Sequence, residues 1–559
     1  MVRIFCKNNG VTLEFPEGTP LVEMLPHFEF ERPRRIISAK VNNVSQGLKF
    51  RVFNNRDVEF IDFTDPSGRR VYCRSLSFML CKAAQDVYPG SKVYMKHPLS
   101  HGYYCELSIP GHETLPEGAI ERISARMAEI VAQDLPFRRY EVRTDEAVRI
   151  FRESGYDDKV KLLETSGQVY TDYYTLGDTP DYYYGRLVPT AGYLDVWGLE
   201  PCRGGMLLRV PDRRDPSVLA RYMDQPKTFG VFEEDMHWNR IMGLSTVGDV
   251  NHACLKGHAS ELIQVSEALQ EKKIVQIAEE IDRRFRREEA PVRLILVTGP
   301  SSSGKTTFCK RLGVQLKACG LAPVTFSTDD YFVNRIDTPK LPDGSYDFDN
   351  FDTVDHRTLQ GDLLSLLAGE DVEIPRYNFV TGRREYDGRR IRLMDRNVVI
   401  LEGIHALNPE LTKGIAEERK FKIFISTLTS IPLDDHNWVP TSDNRLLRRI
   451  VRDYRKGAFS ARETISQWPN VRTAEETWID PYQENADVMF NSAYLIEFAV
   501  LRNYAEQILS SIPKNCPEYS EAHRLLKFIH YFTPVSDGEI PPTSLLREFV
   551  GGSVFDFRR

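Results

Sequence analysis

The chain of 559 residues has 41% hydrophobic and 27% charged side chains and a net charge of −7, a globular profile long enough for three or four domains. That charge excludes a general basic field for nucleic acid or anionic lipid, and no run of 18 apolar residues offers a membrane span. Nine scattered cysteines, never in C-x-x-C, argue against a disulfide framework, and the lack of an apolar leader core at the start points to the cytoplasm.

Residues 1–62 read as a small β-rich unit. Segments 2–5 and 11–15 alternate around Asn8-Asn9-Gly10, a hairpin signal, with further strands at 36–41 and 58–63 and a helical turn at 21–25. The run F-P-E-G-T-P-L-V-E-M-L followed by A-K-V-N-N resembles the TGS domain, a ubiquitin-like module of threonyl-tRNA synthetases and some regulatory NTPases. Residues 63–225 then predict a turn, a strand, an amphipathic helix from about Ser75 to Val87, a strand at 101–107 and helices at 119–133 and 144–152. This order resembles the second N-terminal domain of threonyl-tRNA synthetases, an α+β domain that removes mischarged serine. The resemblance sets the family's H-x-x-x-H and C-x-x-x-H positions at Arg74, Phe78, Tyr183 and Leu187, none of which can act as a neutral ligand or base. A retained fold with a dead editing site is expected.

His97, His101 and His112, and His252, Cys254 and His258, lack the partners of a four-ligand metal site and read as ordinary histidines. Residues 226–290 read as a helical linker, its helix 259–285 ending in the basic run R-R-F-R-R-E-E, most simply a solvated face.

The chain is organised around residues 292–307, V-R-L-I-L-V-T-G-P-S-S-S-G-K-T-T. An apolar strand leads into G-x-x-x-x-G-K-[ST], and a helix-forming run begins at Phe308. Backbone N–H groups from Gly299 through Ser301, Ser302, Ser303, Gly304 and Thr307 can cradle phosphates, Lys305 adds a point charge, and the Thr306 hydroxyl can bind Mg²⁺. Further strands are expected at 323–327, 398–401, 420–426 and 486–490. The first ends beside Asp329, placed to take a hydroxyl proton, and the second leads to Glu402, placed near Mg²⁺. No guanine-specifying N-K-x-D follows the loop, so ATP is the expected donor.

Together G-P-S-S-S-G-K-T-T, S-T-D-D-Y-F, Y-D-F-D-N-F-D-T-V-D, I-P-R-Y-N-F-V-T, V-V-I-L-E-G-I-H-A-L and R-L-L-R-R-I-V-R-D resemble the uridine kinase branch of the phosphoribulokinase/uridine kinase family. By that resemblance residues 291–510 form a P-loop parallel-sheet kinase domain. Asp329 is then the general base, Asp349 holds the ribose diol, Tyr377 and Phe379 form the base pocket, and Arg449, Arg452 and Gln467 take lid and substrate-side positions. On a helical wheel Arg445, Arg448, Arg449, Arg452, Arg455 and Lys456 share one face, opposite Leu446, Leu447, Ile450, Val451 and Tyr454, as a lid over phosphates would. Two positions depart from the pattern. Gly382 stands where the family has a base-contacting histidine, and Phe459 where it has an arginine, with Arg462 near enough to substitute.

Residues 511–559 are expected to pack as an extension without chemistry, with a helix at 520–531 and a cap at Thr543 or Ser544. The resulting expectation is a multidomain α/β and α+β chain with an ATP- and Mg²⁺-dependent nucleoside 5′-kinase at its C-terminal end. The competing readings are a kinase of another small alcohol and an RNA-associated regulatory NTPase. RNA contact by the front half and a homo-oligomer are carried as partner expectations, with no membrane partner.

Overall fold

In the computed structural model, residues 1–30, 35–342 and 344–557 are described. The first unit is a five-stranded sheet ordered Thr12–Phe15, Val2–Cys6, Arg56–Ile61, Ser38–Val41, Val44–Gln46. Val2–Cys6 runs parallel to Arg56–Ile61 and its other pairing is antiparallel. Its alternation puts Val2, Ile4 and Cys6 on the buried face with Phe60 and Val58, so the period-2 pattern specifies which face closes the core.

The second unit is built on helix Pro66–Val87, which begins some nine residues before the predicted start at Ser75 and absorbs the predicted strand. Pro66 is pre-shaped for a first helical position and the Asp65 side chain accepts the Ser67 N–H at 2.7 Å, so a strong start signal overrides the β-leaning V-Y-C run. Helices Ala119–Ala132 and Thr144–Glu153 form as expected. They pack with a four-stranded sheet, in which Lys92–Leu99 pairs Gly102–Ser108, and a three-stranded sheet centred on Tyr170–Leu176.

The kinase-like sheet has five parallel strands in the order Ala322–Ser327, Asn397–Glu402, Leu294–Thr298, Lys420–Ser426, Val488–Asn491. Strand Leu294–Thr298 is central and wholly buried, so its C-terminal end opens at the middle of the sheet edge where such folds bind ligands. Helix Ala259–Phe285 is no free linker: Ile274, Ile277, Ala278 and Ile281 share one core with Ile295, Val297 and Phe308 of the kinase-like unit. The basic run at its end is paired, Arg284 holding Glu280 at 2.7 Å and Asp487 at 2.9 Å.

The C-terminal extension is likewise integral. Helix Tyr519–Ile529 and the residues after it bury Phe528, Tyr531 and Phe549 in one cluster with Tyr182 and Tyr184 of the second unit and Leu446 and Ile450 of the kinase-like unit. The predicted cap does not start a helix at once. The Ser544 hydroxyl accepts the Leu546 N–H at 3.2 Å, and a single helical turn follows at Arg547–Val550. Among the described residues no helix is long and apolar enough to cross a membrane.

Candidate active site

The strand ends at Gly299, where an added Cβ would lie 2.3 Å from the Ile425 carbonyl oxygen. Only glycine passes that neighbouring strand. Ser302 takes a left-handed conformation (φ 60°), as does Gly304 (φ 85°), and helix Lys305–Ala318 begins at once, three residues before the predicted start at Phe308. Lys305 Nζ folds back onto the Gly299 and Pro300 carbonyls at 2.8 and 3.1 Å. Burial pulls its pKa down against the pull of Glu402, Asp329, Glu548 and Glu475. The Ser302 and Ser303 hydroxyls are buried without a protein partner, which suits a loop whose partner is a phosphate.

Sheet register assembles the acids. Val297 stands opposite Glu402, and Glu402 opposite Ser327, so the loop, Glu402 and the turn Thr328–Tyr331 carrying Asp329 meet at one edge. A Cβ at residue 403 would come within 1.9 Å of the Thr328 hydroxyl, so glycine after Glu402 permits the approach. The Thr306 hydroxyl donates to Glu402 at 2.7 Å. A hydroxyl and a carboxylate side by side are the hard oxygen donors Mg²⁺ prefers, and the pair fits that ion.

Across the edge lies Asp349. Crowding by protein pushes its carboxyl up to about 6 against the pull of Arg449, with Glu475, Asp347 and Asp329 adding to the rise. Tyr377 and Phe379 sit edge to face at 5.0 Å, both against Phe332; Tyr377 is buried with an unpartnered hydroxyl, and Phe379 is half exposed. Gly382 has a left-handed backbone (φ 68°), and a Cβ there would lie 2.9 Å from the Arg335 side chain. The Arg335 backbone N–H donates to the Gly382 carbonyl at 2.8 Å and its guanidinium to the Phe379 carbonyl at 2.5 Å, so the Arg335 side chain fills the space beside Gly382. His405, not anticipated as a site residue, is 1% exposed, with the backbone of Asp349 and Asn350 beside its ring. Burial lowers its pKa to about 4 with Asp329 opposing, which keeps the ring neutral beside the acids. Its signal was present in the E-G-I-H run, three residues past Glu402 at a strand end.

The helix expected as a lid, Thr441–Lys456, corrects that reading in part. Leu446, Leu447, Ile450 and Val451 are buried as predicted, but Tyr454 is 56% exposed. Arg445 and Arg448 are 3% and 1% exposed and buttress the loop from behind. Arg445 grips Glu475, Oε2 at 2.8 Å, and Glu475 accepts the Ser301 N–H at 3.1 Å; Arg448 grips Glu497 and donates to the Ser492 carbonyl at 2.8 Å. The cause is supply of buried acid, which no wheel displays. Burial raises the Glu475 pKa, but Arg445 and Arg472 outweigh it and hold the carboxyl below its ordinary value. Arg449 reaches the Ser301 hydroxyl at 3.3 Å, and Arg452 turns to Asp453 at 2.8 Å. Gln467 is half-buried on helix Ala461–Trp478, roughly 12 Å along the axis from Glu475. Arg462 pairs with Glu518 at 3.2 Å in place of standing in for an arginine at 459.

In the second unit Phe78, Tyr183 and Leu187 lie together in the core, the two rings 5.6 Å apart, and Arg74 stacks on Tyr184 at 4.6 Å. Beside them Cys81, Asp181 and His436 bring potential ligand atoms within 4.8 Å of one another. The geometry is that of an ion pair: His436 Nδ1 is 2.8 Å from Asp181, whose other oxygen is 3.2 Å from Lys159 Nζ. Lys159, fully buried, also holds Asp434 at 3.0 Å. His97 is stacked on Phe232 at 3.9 Å, a packed core histidine.

Residues 294–496 match the model of the Phosphoribulokinase / Uridine kinase family. The N-terminal half resembles threonine–tRNA ligases. That of Rubrobacter xylanophilus is 29% identical over 196 residues, 35% of this chain, so the chain spans only 30% of that relative's length. Among solved structures, one described as a possible uridine kinase from Bacillus stearothermophilus aligns at 20% identity and TM-score 0.26, over 38% of this chain and 97% of that one. A D-glycerate 3-kinase from Cryptococcus neoformans aligns at 14% identity and TM-score 0.21, over 46% of this chain and 87% of that one.

Proposed function

We propose that the C-terminal unit transfers the γ-phosphoryl group of ATP to the 5′-hydroxyl of a nucleoside. The observation that carries this reading is the register that joins Lys305, Glu402 and Asp329 at one sheet edge, facing Asp349 and the Tyr377–Phe379 pair. Asp329 accepts the hydroxyl proton as the substrate oxygen forms its bond to phosphorus, and ADP leaves with the electrons of the broken P–O bond. Lys305 neutralises charge on the transferred group, while Asp349 and the aromatic pair orient the acceptor. Mg²⁺, held at Thr306 and Glu402, would supply further charge neutralisation.

A base contributes about 10²–10⁴-fold, so Asp329→Asn should lose that much kcat, and Lys305→Ala at least as much. The test is labelled ATP with a panel of nucleosides, pantothenate and ribulose 5-phosphate, run on wild type and both variants. A panel in which only a non-nucleoside alcohol is phosphorylated overturns the nucleoside assignment. Arg335 over Gly382 favours that second reading, because it removes the family's contact to a pyrimidine base. In either reading the synthetase-like half acts as a scaffold without deacylase activity, which hydrolysis of seryl-tRNA by the purified protein would refute.

A further inference from the structure

The tail enters the phosphate loop. Glu548 accepts the Thr307 hydroxyl at 2.6 Å and the Thr307 N–H at 3.3 Å through one carboxylate oxygen. Thr307 lies in the first turn of helix Lys305–Ala318, where N–H groups lack intrahelical acceptors and the helix end favours an anion. Leu545, 1% exposed, closes on the loop as well, its Cδ2 lying 3.2 Å from where a Cβ on Gly304 would sit. The segment is pinned from its other side. Arg455 donates to the Glu548 and Phe549 carbonyls at 3.0 and 3.1 Å, Arg448 lies 4.8 Å over the Phe549 ring, and Arg547 holds Asp537 at 2.7 Å. Residues Leu545, Leu546, Phe549 and Val550 are each 5% exposed or less, so this is a seated segment and not a fraying end.

We propose that segment 544–550 is an intramolecular competitor of the nucleotide, with the Glu548 carboxylate standing at Thr307 in the place of a nucleotide phosphate. Two anions cannot share one N–H and one hydroxyl, so a nucleoside triphosphate enters fully only when the tail lifts. The structure is then the closed member of a pair, and the tail's own stability sets the fraction of molecules able to bind. The inference rests on the proposed function only in taking the loop's ligand to be a nucleoside triphosphate; the acceptor plays no part in it.

The experiment uses the full chain as wild type, Glu548→Gln and Asp537→Asn, with Mg²⁺–ATP binding read by calorimetry and hydrogen exchange followed over 544–550. Removing the charge at 548 should tighten ATP binding about tenfold, as expected if roughly one molecule in ten is open in the wild type. Asp537→Asn, which loosens the Arg547 anchor away from the loop, should shift affinity the same way by a smaller factor. Saturating ATP should speed exchange in 544–550 of the wild-type chain, a readout that needs no variant to fold. Unchanged or weakened ATP binding by Glu548→Gln, or a tail that stays protected with ATP bound, overturns the proposal and makes the tail a fixed wall of the site. Failure of all three proteins to bind ATP counts against both this inference and the kinase reading. A tightened Glu548→Gln protein that phosphorylates no acceptor sinks the nucleoside assignment alone.

Discussion

Loop 434–440 and tail segment 544–550 each lodge in another part of the chain, the first against the synthetase-like half and the second beside the phosphate loop. The first is locked by full-strength ion pairing out of water: Lys159 between Asp181 and Asp434, His436 on Asp181, and the Asn437 amide on the Tyr182 carbonyl at 2.8 Å. The second rests, at the loop itself, on one carboxylate and one threonine. The buried charges of the first are matched by protein, whereas the phosphate loop has orphan hydroxyls at Ser302 and Ser303 and stands beside the half-exposed Asp329. What decides between joint and site is whether the buried charges are already matched by protein.

The comparison is broken most directly at two ammonium groups, the buried Lys159 and the partly buried Lys305. Replacing Lys159 with Met strands Asp181 and Asp434, and stability should fall by about 3–5 kcal/mol in urea unfolding. Replacing Lys305 with Met should move the unfolding midpoint little, since burial opposes its charge, while abolishing phosphoryl transfer. Equal losses of stability in the two variants would erase the distinction between joint and site.

A smaller effect is expected in acid. Burial raises the Asp181 pKa, but His436 and Lys159 more than reverse this and bring it down to about 2. A folded pKa below the unfolded value means that this stabilisation is complete above about pH 4 and is lost as pH falls toward 2, about 2 kcal/mol in all. His436, raised well above its ordinary value by Asp181 despite burial, works in the opposite sense: its contribution is complete below about pH 6.5 and fades as pH rises through its folded pKa. Unfolding midpoints across pH should fall less steeply in acid in Asp181→Asn than in wild type, the other depressed carboxylates keeping the rest of the limb.

The smallest effect belongs to the site. With Asp349 near 6, kcat/KM for the acceptor should climb about tenfold per pH unit below that value and level off above it. A flat profile, or one unchanged in Asp349→Asn, would remove Asp349 from acceptor binding.

Much of this was legible in the sequence where chemistry is local. The phosphate loop, Asp329, Glu402 and the strands that carry them follow from contiguous runs whose spacing has one physical use, whereas the order of those strands in the sheet was not read. The start of helix Pro66–Val87 was legible too, in Asp65-Pro66, but the β-leaning Val71-Tyr72-Cys73 behind it drew the reading away. The lid face misled because a helical wheel shows where arginines point and not which acids await them; Glu475 and Glu497 lie 30 and 49 residues away from their partners. Glu548 could not be placed at Thr307 from spacing at all, 241 residues on.

The seam between the front and back of the chain carries a consequence for synthesis. Asn43 bonds the Lys514 carbonyl at 3.1 Å across 471 positions, Arg70 meets Glu521 at 2.9 Å, and the Tyr182 and Tyr531 hydroxyls bond each other in the core. A ribosome works from the N-terminal end, so the faces that Lys514, Glu521 and Tyr531 cover stay without these partners until the tail has been made. Tyr182 therefore lacks its Tyr531 partner while the 349 positions between them are translated, and transiently uncovered aromatic surface of this kind is where aggregation begins.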